Sequence, residues 1–233
     1  MTPHESEAGR LVPGALYGLG VGPGDPELIT IKALRLLRQA DVLAFPGEDA
    51  AHSAAFSIAL AAAPDIQDKP LLPLPTPMTR DEARLLAARQ SAAERVRALL
   101  SEGKTVAFLT LGDPSLYSTF ASLSALVSQA GHPVFAAAGV PSFCAAAARL
   151  NTPISQGDEP VSVWPGEDFD LTRPGAHILM KCSRRMSRIK EALRLSGRQA
   201  YLIENCGMEG ERVYTGPDAM PDAVGYFSLI IVK

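Results

Sequence analysis

The sequence predicts an α/β protein of two domains: a parallel sheet with helices on both faces, followed by a smaller domain built on a mixed sheet. Three observations carry this expectation. Apolar runs alternate with helix-spaced segments from residue 15 to residue 150, the pattern of a parallel sheet threaded by crossover helices. One of those runs, Val106-Ala-Phe-Leu-Thr-Leu111, is too continuously apolar to alternate, as expected of a strand buried on both faces. After Asn151 the texture changes to several strands and one clear helix, which suggests antiparallel pairs.

In order, residues 1–13 hold His4, Glu5, Glu7 and Arg10 without an apolar block, so they read as a flexible tail, neither signal peptide nor anchor. Leu16–Val21 is a strand running into Gly22-Pro-Gly-Asp-Pro26, after which Leu28, Ile31, Leu34 and Leu37 recur at helical spacing. A dinucleotide fingerprint fails here. Starting at Gly18 it needs glycine where Pro23 stands, and starting at Gly20 where Asp25 stands. Pro23 also removes a backbone donor that a pyrophosphate would use.

Ala40–Phe45 and Lys69–Leu74 are the next strands, separated by an alanine-rich helix over Ala50–Ala63 that Pro64 stops. Thr79 and Asp81 are placed to cap a helix over Asp81–Ser101, with Leu85, Leu86, Val96, Leu99 and Leu100 as its buried stripe. Arg80, before the helix proper, is a candidate to reach into a cleft. The Val106–Leu111 strand ends at Gly112-Asp113-Pro114, and a helix follows over Ser118–Ala130. Pro133–Ala138 is the fifth strand, and Gly139-Val-Pro-Ser142 opens a helix through Arg149, with Ser142 either its N-cap or a ligand hydroxyl.

The domains are therefore expected at 14–150 and 151–233. In the second, Val161–Trp164, Ala176–Met180, Ala200–Glu204, Arg212–Tyr214 and Tyr226–Val232 read as strands, and Ser187–Leu195 as a helix. Ligands of open α/β sheets bind beyond the carboxyl ends of the strands, so the loops at Gly22, Gly112 and Gly139 are the expected site, and a cleft between the domains its setting.

Composition narrows the function. The chain has 233 residues, 47% hydrophobic and 20% charged, with a formal net charge of -3. That balance leaves no electrostatic footprint for nucleic acid. Cys144, Cys182 and Cys206 are widely spaced and odd in number, as in a reduced, cytoplasmic protein. The four histidines show no metal-ligand spacing, so no metal site is expected. The most apolar windows, such as Ala54–Ala63, are too short to span a bilayer.

Taken in order, Gly20-Val-Gly-Pro-Gly-Asp25, Leu111-Gly-Asp-Pro-Ser-Leu-Tyr-Ser118, Gly139-Val-Pro-Ser142 and Glu204-Asn-Cys206 resemble the tetrapyrrole methyltransferase family over nearly the whole chain. Met78-Thr-Arg-Asp81 and Tyr117-Ser-Thr-Phe120 resemble its precorrin-2 C20-methylating branch of cobalamin biosynthesis. The resemblance implies a cytoplasmic homodimer with S-adenosylmethionine as methyl donor and a small-molecule tetrapyrrole as substrate. It implies conversion of precorrin-2 to precorrin-3A, with cobalt-factor II methylation, uroporphyrinogen-III methylation and a non-catalytic tetrapyrrole-binding module as alternatives.

The resemblance also implies cofactor contacts at Pro23, Gly112, Asp113, Leu116, Ser142, Phe143, Met180 and Cys206. This chain departs from common members in carrying Lys181 after Met180 and cysteine at 206. The carboxylate-rich substrate calls for a cationic rim, for which Arg80, Lys181, Arg184 and Arg185 are candidates. Tyr117 is the candidate catalytic residue, orienting the substrate or assisting proton loss after methylation.

Overall fold

A computed structural model describes residues 10–233 apart from Met78, Arg80, Glu167 and the side chain of Arg184. The chain divides into two compact units, one ending at Val140 and one running from Pro141 to Lys233. Residues 1–9 of the expected tail lie outside the described residues. From Leu11 the chain is anchored: that side chain is buried, and the Val12 amide donates to the Tyr17 hydroxyl at 2.8 Å.

The first unit is a five-stranded sheet in the order β3-β2-β4-β1-β5, with every neighbouring pair parallel. Its strands are β1 (Leu16–Gly20), β2 (Val42–Pro46), β3 (Leu71–Leu74), β4 (Val106–Thr110) and β5 (Val134–Ala137). β1 and β4 are buried at every residue, which is why neither alternates in sequence. One face carries Leu16, Val42, Ala44, Val106 and Phe108 against helices α3 (Glu82–Ser101) and α4 (Phe120–Gln129). The alternate positions, Tyr17, Leu19, Leu43, Phe45 and Leu109, are also buried. They face α1 (Ile31–Gln39) and α2 (Ala54–Ala62), and Phe45 meets Phe56 of α2 at 5.3 Å between ring centroids. Helices thus cover both faces, as expected.

Local chemistry explains the helix starts. Asp81 caps α3 by accepting from the amides of Ala83 and Arg84, and Ser53 and Thr30 cap α2 and α1 in the same way. The expected stripe of α3 needs one correction. Leu86 is 52% exposed, and the buried positions are Ala93, Val96 and Leu100. The fully buried positions all fall in the C-terminal half of this 20-residue helix, and in the first half Leu85 is only half-buried.

The second unit opens with α5 (Ser142–Arg149), which packs on the central strand of that unit. Its sheet runs β6-β7-β10-β8-β9, from β6 (Val161–Trp164), β7 (Ala176–Met180), β8 (Ala200–Glu204), β9 (Arg212–Thr215) and β10 (Ser228–Val232). β6 and β7 are parallel and the other pairs antiparallel, the mixed sheet expected. Helix α6 (Met186–Ser196) buries Met186, Ile189 and Leu193 against Leu179, Leu202, Ile230 and Val232. No helix among the described residues is long and apolar enough to cross a membrane.

Candidate functional site

In the first unit the loops after β1, β4 and β5 are tied to one another at the carboxyl edge of the sheet. The Gly112 amide donates to the Gly22 carbonyl at 2.8 Å, and the Val21 amide to the Thr110 carbonyl at 3.0 Å. The Thr30 hydroxyl, which caps α1, also donates to the Ala138 carbonyl at 3.0 Å. Gly20 and Gly139 are glycines because backbone lies against backbone here. A β-carbon on Gly139 would fall 2.0 Å from the Gly112 carbonyl oxygen, and one on Gly20 would fall 2.5 Å from that same atom.

Asp113 completes the junction. Its Oδ2 accepts the Gly139 amide at 2.8 Å, and its Oδ1 accepts the Ser115 amide at 2.8 Å and the Ser115 hydroxyl. Burial raises the pKa of this carboxyl, but the bonds from Ser115 and Gly139 more than offset that and hold it below the ordinary value. Both carboxylate oxygens serve the protein itself, so Asp113 acts first as a clamp between two loops. Pro23 and Gly112 are buried, and Leu116 is half-buried.

Tyr117 projects further along the same loop, 48% exposed, with a backbone φ of 50°. A bulky residue in the left-handed region is sterically strained, and such strain concentrates where a loop presents side chains to a ligand. The following turn is held by a bond between the Thr110 and Ser118 hydroxyls at 2.8 Å and by the Phe120 amide donating to Ser118 at 3.0 Å. The sequence marks Ser118 only as a helix start; its tie to the strand end comes from the fold.

In the second unit β7 and β8 both run antiparallel to β10, so their carboxyl ends share one sheet edge. Register puts Met180 opposite Leu229 and Glu204 opposite Ser228, which brings Met180 and the Cys206 loop to either side of the start of β10. Met180 is half-buried and Cys206 buried. Burial, then the nearby Glu211 carboxylate, push the Cys206 thiol above its ordinary pKa despite Arg149, which disfavours the nucleophilic thiolate.

Ser142 differs from one of its two readings. Pro141 occupies the cap of α5 and makes no side-chain cap bond, while Ser142 is the first helical residue. Its hydroxyl is therefore not spent on capping, and half-buried Phe143 follows it. Among the basic candidates, Lys181 directly follows β7 with a φ of 57° and is exposed, and Arg184 and Arg185 belong to the short turn behind it. Arg80 and the side chain of Arg184 lie outside the described residues. Among the described residues no group of three or more histidine, cysteine, aspartate or glutamate side chains is arranged to hold a metal ion.

A groove of about 690 Å³ on the second unit, lined by Phe169, Leu171, Arg188, Leu195 and Arg198 among others, contains none of the sequence candidates. The strand-end loops of the first unit combine close-packed backbone at Gly112 and Gly139 with buried Pro23 and half-buried Leu116, and in the second unit half-buried Met180 ends β7 while Ser142 opens α5.

Comparison with known proteins identifies the family. Residues 15–219 match the family model of the tetrapyrrole (corrin/porphyrin) methylases. A precorrin-2 C(20)-methyltransferase of a Sinorhizobium species is 32% identical over 94% of this chain and 95% of its own length. The cobalamin biosynthesis protein CobIJ of Mycobacterium tuberculosis is 34% identical over 94% of this chain, which spans only 46% of that relative. A uroporphyrin-III-C-methyltransferase from Thermus thermophilus superposes with a TM-score of 0.67 at 26% identity, over 94% of this chain and 91% of that one. The chain belongs to the tetrapyrrole (corrin/porphyrin) methylases.

Proposed function

We propose that this chain is an S-adenosylmethionine-dependent methyltransferase that methylates precorrin-2 at C20 to give precorrin-3A. The observation that carries the reading is the 32% identity to a precorrin-2 C(20)-methyltransferase along nearly the full length of both chains. The strand-end loops supply physical support. Pro23, Gly112, Leu116, Ser142, Phe143, Met180 and Cys206 would hold the methyl donor, with Asp113 keeping two of the loops in place. When bound, S-adenosylmethionine supplies a methyl group already activated on a sulfonium, so the protein's task is positioning.

The protein's own groups suit that task. A neutral Cys206 adds no competing charge beside a cationic donor and is too protonated to take the methyl itself. Lys181 and Arg185, exposed behind β7, would pair with substrate carboxylates, together with Arg80 and Arg184. Tyr117 would orient the ring and help remove the proton from the newly methylated carbon. A uroporphyrinogen-III substrate is the second reading, favoured by the likeness to the Thermus thermophilus structure.

The test is a mass assay of the full chain with S-adenosylmethionine and, separately, precorrin-2, cobalt-factor II and uroporphyrinogen III. A one-methyl gain on precorrin-2 is expected. A gain confined to either other tetrapyrrole reassigns the substrate, and tetrapyrrole binding without any product makes the chain a carrier module.

A further inference from the structure

We infer that Glu211, tied to Arg149, is a positioning residue that fixes the Cys206 loop relative to the Ser142-Phe143 end of α5. The inference rests on the methyl-donor reading of those segments. The loop between β8 and β9 is conformationally expensive: Asn205, Gly207 and Gly210 have φ values of 51°, 73° and 76°. Its internal bonds are few. The Met208 amide donates to the Asn205 carbonyl at 2.8 Å, the Glu211 amide to the Met208 carbonyl at 3.3 Å, and Asn205 Nδ2 reaches the Gly210 carbonyl at a long 3.4 Å.

Glu211 supplies what the loop lacks. Its Oε2 accepts the Gly207 amide at 2.8 Å, immediately after Cys206, and its Oε1 accepts from Arg149 Nε at 2.6 Å. Arg149 closes the last turn of α5, roughly two helical turns from Ser142 on a short, stiff rod. A single carboxylate therefore joins the two segments of this unit that carry candidate donor contacts. The partners are unequal. The Glu211 side chain is 17% exposed and the Arg149 side chain 64%, so the bond to Gly207 is the sheltered one and the ion pair is screened. The Gly207 bond, with the nearby Arg149, also keeps the Glu211 carboxyl below its ordinary pKa despite some burial, so it stays charged in this role.

The test uses the full chain with S-adenosylhomocysteine as probe, in calorimetry, and alkylation of Cys206 by iodoacetamide, scored by mass against exposed Cys144 as internal reference. Glu211→Ala is expected to raise the dissociation constant about tenfold, the scale of one charge-assisted bond. Arg149→Ala is expected to raise it about twofold to threefold, as for an exposed pair. The double variant should match Glu211→Ala alone, because the two act through one carboxylate. Cys206 should be alkylated faster in Glu211→Ala than in wild type.

Glu211→Gln, which keeps an acceptor for Gly207 but loses the charge, should sit between wild type and alanine, and it replaces the alanine variant if that chain does not fold. Wild-type binding with unchanged affinity and Cys206 reactivity in the Glu211 variants overturns the inference alone. No binding by wild type overturns the donor reading and the inference with it.

Discussion

The Asp113 carboxylate reaches 26 residues along the chain to accept the amide of Gly139 at 2.8 Å, joining the loop after β4 to the loop after β5. Its second oxygen holds the Ser115 amide at the same distance. Removing it leaves two loop amides without their acceptor. Asp113→Ala should therefore lower stability by about 2 kcal/mol and weaken S-adenosylhomocysteine binding in parallel. Urea unfolding and calorimetry on the same preparation check this, and unchanged stability would show that the clamp carries no weight. The sign with pH follows from the lowered pKa: the contribution is present above the unfolded value of 3.8 and is lost as pH falls through the lower folded value.

Gly139→Ala and Gly131→Ala should separate crowding from backbone strain. A methyl on Gly139 meets the Gly112 carbonyl oxygen at 2.0 Å, whereas one on Gly131, whose φ is 87°, meets nothing within 4 Å. The first should cost roughly 3 kcal/mol or abolish folding. The second should cost about 1 kcal/mol, the price of a left-handed alanine. Denaturant midpoints of the two variants give the comparison, and equal costs would contradict the close packing of the three loops.

Lys181 carries its side chain on a left-handed backbone, φ 57° and ψ 43°, at the very end of β7. Lys181→Gly relieves that strain while adding unfolded-chain entropy, and the net expectation is a gain of about 0.5 kcal/mol. If the lysine serves the tetrapyrrole carboxylates, the same variant should show a several-fold higher KM for the tetrapyrrole with the donor KM unchanged. A more stable variant with wild-type KM would leave the lysine without a binding role.

His177 should make the second unit sensitive to mild acid. It is fully buried; Nδ1 accepts from the Trp164 indole at 3.1 Å, so Nε2 carries the proton and donates to the Arg173 carbonyl at 3.1 Å. The Arg198 guanidinium stands 3.2 Å from Nε2, Arg173 lies over the Trp164 ring, and Asp170 is the opposing carboxylate. Burial first, then these cations, push its pKa down, beyond what the Arg173 carbonyl and Asp170 restore. The unfolded chain thus binds a proton more readily, and stability should fall as pH drops below about 6.5. Trp164 is the sole tryptophan, so its fluorescence reports the transition directly. His177→Gln should flatten the dependence between pH 6.5 and 5, and a wild type already flat there would refute the assignment.

How far the sequence alone reaches depends on how local the physics is. The strands buried on both faces, the capping of α3 by Asp81 and the glycine-ended loops were all legible, because each follows from a run of neighbouring residues. The exposed Leu86 was not, since periodicity shows that a stripe exists and not how much sheet lies beneath it. Nor was the capping of α5: Ser142 has the right chemistry, but Pro141 holds the position.

What the sequence determined by itself is the α/β class, the mixed second sheet and the family, all carried by short motifs in order. What tertiary structure decided is the work of individual side chains. The clamp that Asp113 makes between two loops is one such role, because its partner Gly139 comes near only when β1 lies between β4 and β5. Gly20 and Gly139 must be glycine because their backbones pack on each other and on the Gly112 carbonyl. Arg149 and Glu211 carried no signal at all. A bond between residues 62 positions apart leaves no trace in local pattern, and only the folded sheet brings them to 2.6 Å.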